Sequence, residues 1–324
     1  MITNGVAVGT LLLAMGTAGA VPAVPAGAGP AVTADPPSGE GFQDGRTAGV
    51  RLQNSQIVIT GNGLRGGAGD GYRIKRPCWY EPGKDAGGML ESQESLRAWW
   101  FRFTPNPTEE KFQEFLKQFK DKIGKPGRWW APAYNAADPD GNSCWNDLEP
   151  FVWVPPGTTP PAGITLAELV EIARAALTVP EPRIKLSPDA RSYVNLPTWV
   201  WLDGVGAPTR SVTATIPGFM SATVTATLED IRIDPGTSAD RAEVKEDCGP
   251  GGRPYAKGAE FTCGVRYLRA SADRPREVYE LTVTTVWPVE VEDDVVPFAY
   301  DPVEVEATRD VPVGEVQSTV RGNR

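Results

Sequence analysis

Between Tyr279 and Val291 apolar and polar positions alternate with a period of two. Tyr279, Leu281, Val283, Thr285, Trp287, Val289 and Val291 share one face, and Glu280, Thr282, Thr284 and Glu290 the other. That alternation predicts a long, half-buried strand. In SATVTATLEDIRID the apolar set is Val224, Ala226 and Leu228, then Ile231 and Ile233, and the change of phase at Glu229 and Asp230 predicts a bulge or a turn between strands. SVTATI precedes these strands, and FTCGVRYL and the 303–320 stretch complete the set. About seven strands over roughly 115 residues is the signature of an immunoglobulin-like sandwich.

The period changes upstream. Thr108 is placed to cap a helix whose first turn carries Glu109 and Glu110, where the helix dipole favours anions. Phe112, Phe115, Leu116, Phe119 and Ile123 form its apolar stripe, and Gly124 stops it. A second helix opens on a capping box of Thr165 with Glu168, with Ile164 set to staple onto Leu169. It continues through Val170, Ala173, Ala176 and Leu177 until Pro180. The expected architecture is therefore an α+β N-terminal region with two short helices, followed by an all-β sandwich.

The pattern is weakest at the start of the chain. Residues 1–20 run apolar from Val6 to Met15 and end in an Ala-Gly-Ala step, which predicts a secretory leader over 1–30. No Lys or Arg precedes Arg46, so the positively charged opening of such a leader is missing and the true start is expected upstream of Met1. Gly, Pro22 and Pro25 interrupt the apolar run before it reaches the roughly 18 residues needed to span a bilayer, so no stable membrane span is expected. Residues 31–71, rich in Ala, Gly and Pro, read as a disordered linker holding one plausible strand, Gln56 to Thr60. The folded part is expected as a tryptophan-rich, disulfide-tied region over 72–190 and the sandwich over 191–320.

Composition narrows the chemistry. The 324 residues include no histidine, which excludes Ser-His-Asp and Cys-His nucleophiles and His-ligated zinc. A formal net charge of -9 disfavours nucleic acid as a partner. Four cysteines in an exported chain predict two disulfides with three possible connectivities, of which spacing favours Cys78 with Cys144 and Cys248 with Cys263. No CxxC step supports a thiolate metal site, no cysteine follows the leader to carry a lipid, and the LPT at Leu196 lacks the glycine and apolar tail of a sortase signal.

The run SYVNLPTWVWLD from Ser192 to Asp203 is followed by VTATIPGFMSATVTATLEDIRID, CGPGGRPY, FTCGVRYLRAS, YELTVTTVWPVEV and VPVGEVQSTV. Together with RPCWYEP, the helix before Pro180 and PEPRIKLSP, these segments resemble a group of uncharacterised secreted actinobacterial proteins whose C-terminal half looks like a PKD domain. The likeness covers most of the chain from Pro77 to Val320. It departs from the PKD pattern where IRIDPGTSAD replaces a Trp followed by a Gly-Asp-Gly turn, though Pro235 and Gly236 keep a turn. Members of the group often read Cys-Gly-His-Thr-Tyr where this chain has Cys263, Gly264, Val265, Arg266 and Tyr267. The resemblance implies surface display, adhesion or spacing rather than catalysis, by fold analogy.

Candidate sites follow from the aromatics and the carboxylates. Seven of the ten tryptophans precede residue 154. Trp99, Trp100, Trp129 and Trp130 are expected either to build a small core or to present a ligand face to glycan, since adjacent residues of a strand point to opposite faces. Asp138, Asp140 and Asn142 are weak calcium candidates in a loop that lacks the glycine and closing glutamate of an EF-hand, and that reads better as an Asp/Asn turn tethered by Cys144. Glu149, beside Trp145 and Trp153, is the carboxylate best placed for a glycosidase. The acidic run Glu290, Glu292, Asp293 and Asp294 reads as a solvated edge. The expected function is that of a secreted or envelope-associated, non-enzymatic binding or structural protein without cofactor, whose partners would be envelope proteins or wall glycan. The alternative is a carboxylate-based hydrolase of cell-wall polysaccharide.

Overall fold

The computed structural model of the chain describes residues 50–292 and 299–316. The expected leader, the linker up to residue 49, Asp293 and Asp294, and residues 317–320 lie outside the described residues. In chain order the first half holds strands β1 (Leu52–Gln53), β2 (Val58–Thr60) and β3 (Cys78–Pro82), helices α1 (Ala86–Glu91), α2 (Gln93–Phe103) and α3 (Glu109–Lys120), strand β4 (Arg128–Asn135), helix α4 (Gly141–Asn146), strand β5 (Val152–Val154) and helix α5 (Leu166–Ala176). The second half holds strands β6 (Arg183–Ser187), β7 (Ser192–Tyr193), β8 (Pro197–Asp203), β9 (Thr209–Ile216), β10 (Met220–Thr227), β11 (Asp230–Asp234), β12 (Ala242–Glu246), β13 (Cys263–Tyr267), β14 (Tyr279–Trp287), β15 (Val289–Val291), β16 (Val303–Val311) and β17 (Val313–Gly314), with short 3-10 turns at Gly249–Gly251 and Pro275–Glu277.

These strands form several mainly antiparallel sheets. β4 lies at the centre of the first, between β3 on one side and β1 and β5 on the other. The second runs β15-β10-β9-β2, the third β11-β14-β16 and the fourth β12-β13-β8-β6, while β7 and β17 make a short parallel pair. The phase change at Glu229 and Asp230 is a transfer between sheets. β10 buries Val224 and Ala226 in one core, and β11 buries Ile231 and Ile233 in another. β14 makes the same transfer, since Tyr279, Leu281 and Val283 face the second core and Trp287 the first, after which Pro288 ends the strand and β15 joins β10.

The first core is shared by both halves of the chain. α5 packs Leu169, Val170, Ile172 and Ala173 against Val212 and Ala214 of β9 and Val224 and Ala226 of β10, with Trp79 and Trp130 in the same cluster. The second core lies between the third and fourth sheets and gathers Val200, Leu202, Val265 and Tyr267 with Ile231, Leu281 and Val283. A third, aromatic core fills the space between α1, α2, α3 and β4.

The described part of the expected linker, residues 50–71, is packed structure. Val50, Leu52, Ile57 and Ile59 are buried, β1 pairs with the end of β4, and β2 pairs with β9 across roughly 150 residues of sequence. Two isoleucines from this segment reach a core that exists only once distant strands assemble, which outweighs its Gly-rich composition. The regions expected over 72–190 and 191–320 are accordingly joined through one interior rather than through a boundary at 190.

The two anticipated helices are present. Thr108 Oγ1 accepts from Lys111 N at 3.3 Å at the start of α3, and Thr165 and Glu168 complete the capping box of α5. Ile123 is the exception in the first stripe: α3 stops at Lys120, and Ile123 is 57% exposed in the turn that follows. Helices α1, α2 and α4 were not anticipated.

Both disulfides follow the local pairing, Cys78 with Cys144 and Cys248 with Cys263, and no described cysteine is free. The loops closed span 66 and 15 residues. In the chain-entropy account they contribute about 4 and about 3 kcal/mol respectively. Cys248→Ser with Cys263→Ser is therefore expected to lower the unfolding free energy by about 3 kcal/mol, measured by urea denaturation under non-reducing conditions. Among the described residues no helix is long and apolar enough to cross a membrane.

Candidate functional site

The tryptophans sort by element. Trp129 and Trp130, adjacent on β4, point to opposite faces as strand geometry requires. Neither is exposed, because the helical layer covers one face and the α5 core the other: Trp129 joins the aromatic core and Trp130 the shared one. Trp99 and Trp100 lie on α2, not on a strand. Their neighbours are ring after ring, with Trp100 4.5 Å and Trp99 6.0 Å from Phe115, and Trp99 5.6 Å from Phe151. Both are half-buried against the aromatic core. The four residues proposed as a ligand face thus divide into two interior side chains and two that seal the rim of that interior.

Around this aromatic sector cations lie over rings. Arg97 covers Phe101 at 4.5 Å, Lys122 covers Trp153 at 5.6 Å and Arg128 covers Phe219 at 4.5 Å. Phe219 is at the tip of the β9–β10 hairpin and Phe103 at the end of α2, and both stay substantially exposed.

The acidic candidates disperse. Asp138 Oδ1 accepts from Asp140 N at 2.9 Å, the Asp138 carbonyl accepts from Gly141 N, and the Asn142 carbonyl accepts from the Asn146 side chain. The loop is an Asp turn leading into α4, which carries Cys144. Among the described residues no group of three or more His, Cys, Asp or Glu is arranged to hold a metal ion. Glu149 is exposed, and its carbonyl accepts from the Tyr80 hydroxyl at 3.1 Å, while its carboxylate makes no hydrogen bond or ion pair with a described residue. Glu290 and Glu292 are exposed, and Glu290 lies on the edge strand β15.

Val265 is fully buried on β13, opposite Val244 and Thr198 in the flanking strands. Gly264 before it has φ +137° and runs so close to β8 that a Cβ would lie 2.2 Å from the Thr198 carbonyl oxygen. Val265 is thus a packing position in this chain.

Two polar clusters carried no clear sequence signal. Glu81 of β3 is 1% exposed and accepts from Ser55 Oγ at 2.7 Å, Gln56 N at 2.6 Å and Trp79 Nε1 at 2.8 Å. Burial pushes its carboxyl above the ordinary value, against the pull of those three donors. The spacing of Trp79 and Glu81, two apart on one strand face, is the only local hint. The second cluster surrounds Arg174 of α5, 2% exposed, which ion-pairs with Asp70 and lies over the Tyr72 ring at 5.0 Å. Tyr72 and Tyr300 meet edge to face at 5.7 Å. Glu171 accepts from Lys75 N at 3.2 Å and pairs with its ammonium at 3.2 Å. Desolvation, with Glu171 nearby, raises the Tyr72 hydroxyl, and desolvation likewise raises Tyr300. Both clusters tie the 50–75 segment to the core.

No family model, curated protein or solved structure matches the chain.

Proposed function

We propose that the chain is an exported, envelope-associated, non-enzymatic binding or structural protein whose second half is an immunoglobulin- or PKD-like sandwich. The observation that carries this reading is where the tryptophans go. Trp79, Trp129, Trp130 and Trp287 are interior, Trp99 and Trp100 close the rim of the aromatic core, and the resulting body is cross-tied by two disulfides. Disulfide-tied, aromatic-filled scaffolds suit an oxidising compartment. Two sheets facing each other across the second core support the sandwich reading. Glu149, the carboxylate assigned to a hydrolase, makes no hydrogen bond or ion pair through its side chain with a described residue, so no observation favours that alternative.

The test is fractionation of cells producing the protein, combined with thiol alkylation. All four cysteines are expected to resist alkylation until reductant is added, and the chain is expected in the envelope or culture fluid. Free thiols in a cytosolic fraction would contradict the reading, and release of reducing ends from purified wall glycan by the purified protein would favour the hydrolase.

A further inference from the structure

The end of α3 and the turn behind it carry a local reversal of charge. Residues 117–128 include Lys117, Lys120, Lys122, Lys125 and Arg128 against Asp121 alone, in a chain of net charge -9. Lys117 is already paired with Glu114. Lys120, Lys122, Lys125 and Arg128 make no ion pair with a described residue, and Lys120, Lys125 and Arg128 are exposed. Two apolar side chains stand out beside them. Ile123, 57% exposed, sits between Lys122 and Gly124 in the turn, and Phe219, 44% exposed at its hairpin tip, lies under the Arg128 guanidinium. The turn is held in place from below, because Lys122 covers Trp153 and the Gly127 backbone abuts that same indole.

We propose that this patch is a docking surface for an anionic phospholipid bilayer. Unpaired cations on a preformed surface are drawn to anionic headgroups, each contributing appreciably within a Debye length. A soluble anionic polymer would need the cations alone. Ile123, exposed in the turn, and Phe219, part-exposed beside Arg128, are of the apolar kind that enters the boundary between headgroups and acyl chains in interfacial proteins. Together they give the charge and the apolar reach of a peripheral contact. Encounter with a bilayer presupposes the envelope location proposed above, whereas vesicle binding by the purified protein does not, so the two can fail separately.

Sedimentation with vesicles of equal parts phosphatidylglycerol and phosphatidylcholine is expected to carry the protein down, and pure phosphatidylcholine vesicles are not. Binding is expected to vanish at about 1 M salt, where the screening length falls to about 3 Å. Lys120→Gln, Lys122→Gln and Lys125→Gln together are expected to weaken binding roughly a hundredfold, at about fivefold per cation. Ile123→Ser with Phe219→Ser should weaken it about tenfold or more through lost apolar insertion. Lys257→Gln, an exposed cation elsewhere, should leave it unchanged, and each variant should remain folded at the binding temperature, with a loss of about 1 kcal/mol at most for each cation–ring contact removed. No binding to the anionic vesicles, equal loss in Lys257→Gln, or inorganic polyphosphate binding as tightly with no effect of the Ile123 and Phe219 substitutions would overturn the lipid assignment. So would a concentration-dependent dimer abolished by the triple lysine variant, which would give the patch to a second copy of the chain.

Discussion

Glu81→Ala is expected to lower the unfolding free energy by about 4 kcal/mol, because it leaves the Ser55 hydroxyl, the Gln56 N–H and the Trp79 indole N–H without their acceptor in a buried place. Ser55 can turn to another partner, but the main-chain and indole donors are fixed. Glu81→Gln should cost less, about 1–3 kcal/mol, since either orientation of the amide sets an N–H against a donor while the other oxygen still accepts. The charge has its own signature. Burial raises the folded-state pKa of Glu81 above its ordinary 4.5, so the folded chain binds this proton more tightly than the unfolded chain does. Its contribution to stability is therefore full below that ordinary value and is lost as pH rises through the elevated folded value. Urea denaturation at a series of pH values checks this: the Glu81→Gln variant should lack that component of the pH dependence. An unchanged pH profile would mean that the three donors offset burial and leave the folded-state pKa at its ordinary value.

Trp287→Ala is the second large effect. The side chain is fully buried where β14 leaves the second core and enters the shared one, and truncating a buried tryptophan costs about 3–5 kcal/mol. The expected consequence is not confined to its own strand. Trp287 belongs to the cluster that holds α5 together with β2, β9 and β10, so the loss should reach the first half of the chain. Denaturant unfolding followed by tryptophan fluorescence, dominated by residues before 154, should shift together with unfolding followed by far-ultraviolet circular dichroism.

Sequence logic served best where the determinants were local. The capping box at Thr165 and Glu168, the Thr108 cap, the alternation through Tyr279 to Trp287 and the short Cys248–Cys263 spacing each depend on residues within about fifteen positions, and each is found. The phase change at Asp230 was also legible, although what it encodes, a transfer between sheets serving different cores, depends on partners far away. The failures share that dependence. Ile57 and Ile59 sit in a Gly-rich stretch with little local preference, and only pairing with β9 makes β2 a strand. The Gly-Gly step in α1 hides a helix capped by Asp85, whose side chain accepts from Gly88 N at 2.8 Å. For the tryptophans the geometric premise held, since Trp129 and Trp130 do point apart. What no sequence could show is that β4 has a core on each face, so that pointing apart does not bring either into solvent. Glu81 is not legible in the sequence because a single acidic residue in CWYEP has no periodic signature, and its meaning lies in a contact with a segment about 25 residues upstream.

The joined interior bears on the proposed function. The tryptophan-rich region shares its core with the sheets that follow, and the basic turn with Ile123 and the Phe219 hairpin tip lie at the surface of that shared body. Under the proposal of a binding or structural role, these are the features that would meet a partner.

The most direct measurement of the shared interior is native-state hydrogen exchange on the Trp287→Ala variant. Amides of α5, in the first half of the chain, and of β9 and β10, in the second, are expected to lose protection by the same factor, because they close one core. Full retention of protection in α5 while β9 and β10 open would show two independent domains and contradict the account.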